Sequence, residues 1–205
     1  MNLRPFLVLI IGILIGYSKI IPKNIIELNS SAIRLALFAL FIVIGIDMGR
    51  EKRLWESLKE LKSRVFIIAF AGLAGSLAGG AVASLLTNTP FSTGIASAAG
   101  SGYYSITTLM LKEVAGPSQA LIGFLSNLLR ELIVIVGMPL IAKIWGKAGC
   151  VGAAGATAMD TALPFIIKSV GKEIGVLSFA SGVIITITVP FIVPAIYRIL
   201  SSLGW

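Results

Sequence analysis

No residue in the run 65–86 is charged, and an apolar run of that length reads as a helix that needs lipid around it. Similar runs recur along the chain without the polar alternation of a half-solvated element. Hydrophobic residues make up 57% of the 205 and charged residues 13%, about half the share usual in a soluble domain. Roughly seven stretches of about 20 residues would use some two-thirds of the chain, which leaves no room for a soluble domain. The sequence therefore predicts one all-α polytopic membrane domain over 1–205.

The remaining counts exclude whole classes of chemistry. The single cysteine, Cys150, allows neither an intrachain disulfide nor a thiolate metal cluster. Histidine is absent, which removes Ser-His and Cys-His catalysis, haem and most zinc sites. No cofactor or metal is expected. A net charge of +8 would suit nucleic acid, but no soluble module carries it. Excess Lys and Arg is better read as a topology signal.

The expected spans are 5–21, 31–48, 65–86, 91–111, 118–145, 147–171 and 173–200. A cleaved signal peptide competes for the first, since Arg4 precedes an apolar run, but no small-residue cleavage site follows. Arg34 and Asp47 lie near the two ends of the second span, and Asp47 reads as a solvated cap or local ion pair. Between the second and third spans, 50–64 is polar, with Leu54, Leu58 and Leu61 at helical spacing. That pattern predicts a short cytoplasmic amphipathic linker helix at the membrane surface. Gly72, Gly75, Gly79 and Gly80 give the third span a small-residue face on which neighbours can approach closely.

Placing 50–64 in the cytoplasm puts ten Lys and Arg on that side and five on the other. The N-terminus is then inside and the C-terminus outside.

Charges within spans point to the chemistry, because each costs at least ~2.5–3.5 kcal/mol near the bilayer centre. Glu131 sits midway along its apolar run, too deep to reach an interface. Arg130 is about 100° around the helix from it, so the two side chains diverge. The bland reading gives each a separate packing partner; for Arg130 the carbonyls of a broken helix are the natural target. Asp160 lies in GAAGATAMDTALP, where Gly152, Gly155 and Pro164 argue against one continuous helix. Thr157 and Thr161 flank it with hydroxyls. A half-helix after such a break offers amides to an anion, and the one before it offers carbonyls to a cation. GSGYYS, from Gly100 through Gly102 to Ser105, is a second candidate break, where Tyr103 and Tyr104 are either ligands or interface anchors. Two interrupted helices with two buried carboxylates form a transporter-like constellation. A carboxylate in such a cavity can exchange a proton or neutralise a cationic substrate. There is no GxxxxGK[ST] run, so the chain does not hydrolyse a nucleotide through a P-loop to drive transport.

GSGYYS, the SNLLRE run ending in Glu131, and GATAMDTALP from Gly155 to Pro164 together resemble the lysine exporter LysO family of prokaryotes. The resemblance covers nearly the whole chain, and GATAMDTALP is its most specific part. It implies a non-enzymatic exporter of L-lysine, and of analogues such as thialysine, in the cytoplasmic (inner) membrane. The family's intramembrane carboxylates match Glu131 and Asp160. Some members carry Trp at Tyr103, Asp at Asn127 and Ser at Ala158, which bears on substrate selectivity. The chain is similar to the later two-thirds of longer members, so the resemblance also implies a small membrane subunit of about three helices as partner.

On this reading 1–49 holds the last two helices of a truncated first repeat and 65–205 a second five-helix repeat. Together they would form part of a five-plus-five inverted-repeat carrier whose fourth helix in each repeat is broken. The expected binding residues are Glu131, Asp160, Thr157, Thr161, Asn127, Tyr104 and Ser105. Asp160 and Glu131 would take an ammonium group or a coupling proton (sodium is the other candidate ion). Half-helix amides near Thr157 and Thr161, with Ser105 or Tyr104, would take the α-carboxylate. Gly100, Gly102, Gly152, Gly155 and Pro164 shape the breaks. An oligomer is expected. The competing functions are a holin-like channel or permeability subunit, a purely structural subunit, and an intramembrane aspartyl protease. The last lacks its GxGD pattern, since Ile44, Gly45 and Ile46 precede Asp47 and Thr157, Ala158 and Met159 precede Asp160.

Overall fold

The computed structural model describes residues 52–204, with side chains from residue 63 onward. The expected spans 5–21 and 31–48, with Arg34 and Asp47, lie outside the described residues. Six α-helices follow: α1 (Lys52–Thr87), α2 (Phe91–Ala99), α3 (Tyr104–Val114), α4 (Pro117–Ala154), α5 (Leu163–Val170) and α6 (Gly175–Ser202). Short 3-10 turns at Gly155–Met159 and Lys172–Ile174 precede α5 and α6. No strand occurs among the described residues.

Among the described residues, three stretches are long and apolar enough to cross a membrane: Ser63–Thr87, Pro117–Met159 and Lys172–Ser202. Large apolar side chains on them point outward, among them Phe66, Ile67, Val136 and Phe191. That outer surface suits lipid, so this is an integral membrane protein.

The first departure from expectation lies in α1. Within the polar stretch, residues 52–64 do not form a helix of their own; from Lys52 they run unbroken into the third span as one helix of 36 residues. The reason is local. From Lys52 to Phe70 there is no Gly or Pro, and Lys, Arg, Glu and Leu are strong helix formers. The helix stops at Thr87, where Asn88 turns to φ 52 ahead of Pro90.

The expected fourth and sixth spans are both interrupted. In the fourth, α2 is nine residues and α3 eleven, about 14 and 17 Å long, each too short for a ~30 Å hydrocarbon core. The chain between them passes through Ser101 (φ 48) and Gly102 (φ 93), both left-handed, which no helix can continue through. In the sixth, α4 bends at Gly146 (φ 64), and its limb 147–154 ends at Gly155 (φ 62). The 3-10 turn follows, then an irregular stretch at 160–162, then the eight-residue α5.

Two expected breakers act differently. Gly152 lies inside α4, where it packs on α1: a Cβ on Gly72 would come within 2.8 Å of the Gly152 carbonyl oxygen. It is a close-approach residue of the small-xxx-small kind, not a break. Pro164 stands in the first turn of α5, where its missing N–H costs nothing, so it begins a helix instead of ending one. Pro190 and Pro194 remain inside the continuous α6.

Helix α6 organises the core. It packs against α2, α3 and the 3-10 turn, and buries Leu177, Ala180, Val183, Ile185, Val189 and Val193. Gly182 is the seat of the turn: a Cβ there would lie 2.6 Å from the Met159 amide nitrogen and 2.9 Å from the Ala156 carbonyl oxygen.

Candidate functional site

The two breaks meet. The Ala156 amide, one residue past Gly155, donates to the Ser101 carbonyl at 2.9 Å. Gly155 cannot be larger, since a Cβ would stand 2.4 Å from that same carbonyl oxygen. Irregular backbone inside a membrane must have its polar groups satisfied by protein or enclosed water, and this junction supplies partners. Asn127 of α4 supplies more. Its Oδ1 accepts the Gly102 amide at 2.7 Å, and its Nδ2 donates to the carbonyls of Ser97 and Gly123, both at 2.8 Å. The Ser178 hydroxyl of α6 donates to the Ala158 carbonyl at 2.9 Å, and Thr157 Oγ1 donates to the Ala154 carbonyl at 2.9 Å.

Beside this junction lies a cavity of about 100 Å³. Its wall includes Tyr104, Ser105, Glu131, Thr157, Asp160 and Thr161, six of the seven expected binding residues, together with Gly102. Glu131 arrives from the straight limb of α4, Asp160 and Thr161 from the irregular stretch, and Tyr104 and Ser105 from the N-terminal end of α3. Thr161 links the two acids. Its hydroxyl donates to Glu131 Oε1 at 2.5 Å and lies 3.3 Å from Asp160 Oδ1, while its amide donates to Asp160 Oδ1 at 2.5 Å. The Tyr104 ring stands edge-on to Phe124 at 5.7 Å, which fixes the side chain at the wall. Asp160 and Thr161 are exposed and Glu131 half-buried, so the cavity is open on the acidic side.

The two carboxylates make this wall rich in hydrogen-bond acceptors. Carboxylates are acceptors, and the two hydroxyls at its centre, of Thr157 and Thr161, already direct their hydrogens at oxygens. Among the described residues no group of three or more His, Cys, Asp or Glu is arranged to hold a metal. The arrangement suits an ammonium group or a proton.

Two of the expected groups are engaged otherwise. Asn127 lies apart from this cavity; all of its hydrogen-bonding capacity toward backbone holds the first break in shape. The amides around Thr161 do not await an anion. Those of Asp160 and Ala162 donate to the Thr157 carbonyl, that of Thr161 to Asp160 Oδ1, and that of Leu163 to the Asp160 carbonyl. A tight irregular turn consumes its own donors, so a carboxylate must find others. Gly100, just past the end of α2, shapes the first break against Thr107 and Asn127.

Arg130 behaves as its divergence from Glu131 predicts. Its Nε and Nη2 donate to the Ala153 carbonyl at 3.3 and 3.1 Å, and its Nη1 to Ser76 Oγ at 2.5 Å. It therefore ties the straight limb of α4 to the broken one and to α1. Sequence reasoning missed Thr186 and Met159, which complete the cavity wall. Thr186 is one of several hydroxyls in its span, with Ser178, Ser181 and Thr188, so the sequence did not single it out.

The lysine exporter LysO family model matches residues 6–197. Among curated proteins, the lysine exporter LysO of Escherichia coli is 28% identical over 186 residues, which are 91% of this chain and 60% of that protein. A relative from Haemophilus influenzae is 28% identical over 185 residues, 89% of this chain and 91% of its own length. This chain thus spans less than two-thirds of the E. coli relative. No solved structure matches it. With nearly its whole length covered by that one model, the chain belongs to the lysine exporter LysO family.

Proposed function

We propose that this chain forms the larger part of a secondary exporter that carries L-lysine, and analogues such as thialysine, out across the cytoplasmic membrane. The observation that carries this reading is the convergence of Glu131 and Asp160 on Thr161, beside the meeting point of two broken helices. A side chain bearing an ammonium group brings three donors to the two carboxylates. The name of the E. coli relative supports lysine as the cargo.

In this mechanism the ε-ammonium or a coupling ion occupies the space between the carboxylates. The α-carboxylate is received at the N-terminal end of α3, by Ser105 and the Tyr104 hydroxyl, where the backbone dipole favours an anion. When a proton replaces the substrate on either acid, the carrier returns with its charge balanced, which gives ion-coupled alternating access. The complete carrier in this proposal has ten spans. Residues 65–205 supply its second repeat, 1–49 the end of its first, and a small membrane subunit of about three helices the rest. The N-terminus faces the cytoplasm, and the assembly is an oligomer.

The test is thialysine resistance in a cell lacking its own lysine exporter, with any partner subunit co-expressed. The wild-type chain is expected to confer resistance, and Asp160→Asn and Glu131→Gln to abolish it. Normal resistance in Asp160→Asn at wild-type protein levels would overturn the mechanism.

A further inference from the structure

Arg130 is not in the wall of the acidic cavity, yet its hydrogen bonds reach the ends of both broken helices. On one side Nε and Nη2 both donate to the Ala153 carbonyl, in the last turn of the limb 147–154. On the other, Nη1 donates to Ser76 Oγ, and that hydroxyl donates onward to the Ala98 carbonyl at 2.6 Å. Ala98 lies in the last turn of α2. The C-terminal end of a helix carries the equivalent of about half a negative charge, so two such ends meeting in one place favour a cation between them. The Arg130 guanidinium is that cation. It touches one end directly and the other through a single hydroxyl.

Helix α1 is shaped to bring the two ends together. Gly72, Ser76 and Gly80 are spaced four residues apart and share one face. Gly72 abuts Gly152 of the limb, and a Cβ on Gly80 would lie 2.6 Å from the Ala98 Cβ and 2.9 Å from the Gly94 carbonyl oxygen of α2. Ser76 stands between these two contacts, where Arg130 enters. Past the two ends, the chain leads into the acidic cavity. Gly102 follows Ala98 by four residues and Asp160 follows Ala153 by seven, and both line its wall. Glu131 is the next residue after Arg130 on the straight limb of α4.

We propose that Arg130, acting through the Ala153 carbonyl and the Ser76 hydroxyl, is the positioning residue that holds both helix breaks together and so sets Asp160 against Glu131. Its charge counts for more than its bulk, because it offsets the partial charge of two carbonyl ends. The effect on lysine rests on the proposed function; the joint holding of the two breaks does not.

The experiment compares Ser76→Ala, Arg130→Lys and Arg130→Met in the full chain, with any co-purifying subunit, by two readouts. The first is hydrogen–deuterium exchange of the detergent-purified protein, followed by mass spectrometry. Ser76→Ala takes an acceptor from Arg130 and leaves the Ala98 carbonyl with the Ser101 amide at 3.1 Å. Exchange at 97–103 and at 151–162 is expected to quicken together, about tenfold, while α6 keeps its wild-type protection. The second readout is the concentration dependence of lysine uptake into vesicles at matched protein levels. Arg130→Lys keeps the charge and is expected to stay within about threefold of wild-type apparent affinity, whereas Arg130→Met keeps the bulk and is expected to lose roughly tenfold or more. Equal affinities in those two variants would reduce Arg130 to packing and overturn the proposal. So would exchange in Ser76→Ala that is unchanged, confined to one break, or raised evenly over the whole chain. Where neither arginine variant folds, the exchange pattern of Ser76→Ala carries the decision. If the wild-type protein takes up no lysine, the proposed function fails and the exchange measurement still decides this inference.

Discussion

Glu131 and Asp160 share one hydroxyl, that of Thr161, 2.5 Å from the first and 3.3 Å from the second. The acids come from different elements, and their nearest oxygens are within about 6 Å of each other, where two negative charges repel by roughly 1–3 kcal/mol between water-like and protein-like dielectric. One hydroxyl has one hydrogen, so it cannot satisfy both carboxylates. A cation between them removes the repulsion and supplies the missing donors.

Thr161 is therefore a positioning residue for both acids. Thr161→Val keeps the shape and deletes the hydroxyl; Thr161→Ser keeps the hydroxyl. Since a hydrogen bond to a charged group contributes about 1.5–3 kcal/mol, the valine variant is expected to lose about tenfold or more in apparent lysine affinity. The serine variant is expected to stay near wild type. A lysine concentration series in vesicles checks this, and equal affinities for the two variants would contradict it.

Asn127 acts on stability. Asn127→Leu strands the Gly102 amide at the buried first break, while the Ser97 carbonyl loses one of its two donors and keeps the Gly100 amide at 3.2 Å. One unsatisfied backbone amide costs about 1–3 kcal/mol. The thermal midpoint of the detergent-purified protein is expected to fall by several degrees, well beyond the change seen for an exposed substitution.

Glycines divide into two groups by what surrounds them. Gly155→Ala and Gly182→Ala drive a Cβ into backbone atoms at 2.4 and 2.6 Å, and Gly155 also has φ +62. Both are expected to reduce the yield of folded protein. Gly75→Ala meets nothing within 4 Å and lies inside α1, where alanine is about 0.5–1 kcal/mol better than glycine. It is expected to be neutral or stabilising by the same thermal measurement.

Most of the acidic site was legible because a charge in an apolar run is costly wherever it stands, so Glu131 and Asp160 identify themselves. The breaks were legible from glycine-rich runs, although which glycine acts was not. Gly152 and Gly155 look alike in sequence; only the approach of α1 to one and of Ser101 to the other separates them. The linker 50–64 was misread because amphipathic spacing is the same whether a helix lies on the membrane or extends a span. The role of Asn127 was also hidden. An amide in an apolar span signals a hydrogen-bonding duty, but not whether the partner is substrate or backbone.

The Lys147–Glu173 pair provides a control. At 3.3 Å it is the ion pair among the described residues, yet both side chains are largely solvated, and such pairs contribute little. Glu173→Gln is expected to leave the thermal midpoint and transport unchanged, in contrast to Glu131→Gln.

The role of Glu131 and Asp160 in holding the cargo is tested most directly by uptake of radiolabelled lysine into inverted membrane vesicles, where export appears as uptake. Vesicles with the wild-type chain and any partner subunit are expected to take up lysine saturably. At matched protein levels, Asp160→Asn and Glu131→Gln are each expected to reduce that uptake to background. Saturable uptake at the wild-type rate in either variant would contradict the claim that the two carboxylates around Thr161 hold the transported cation.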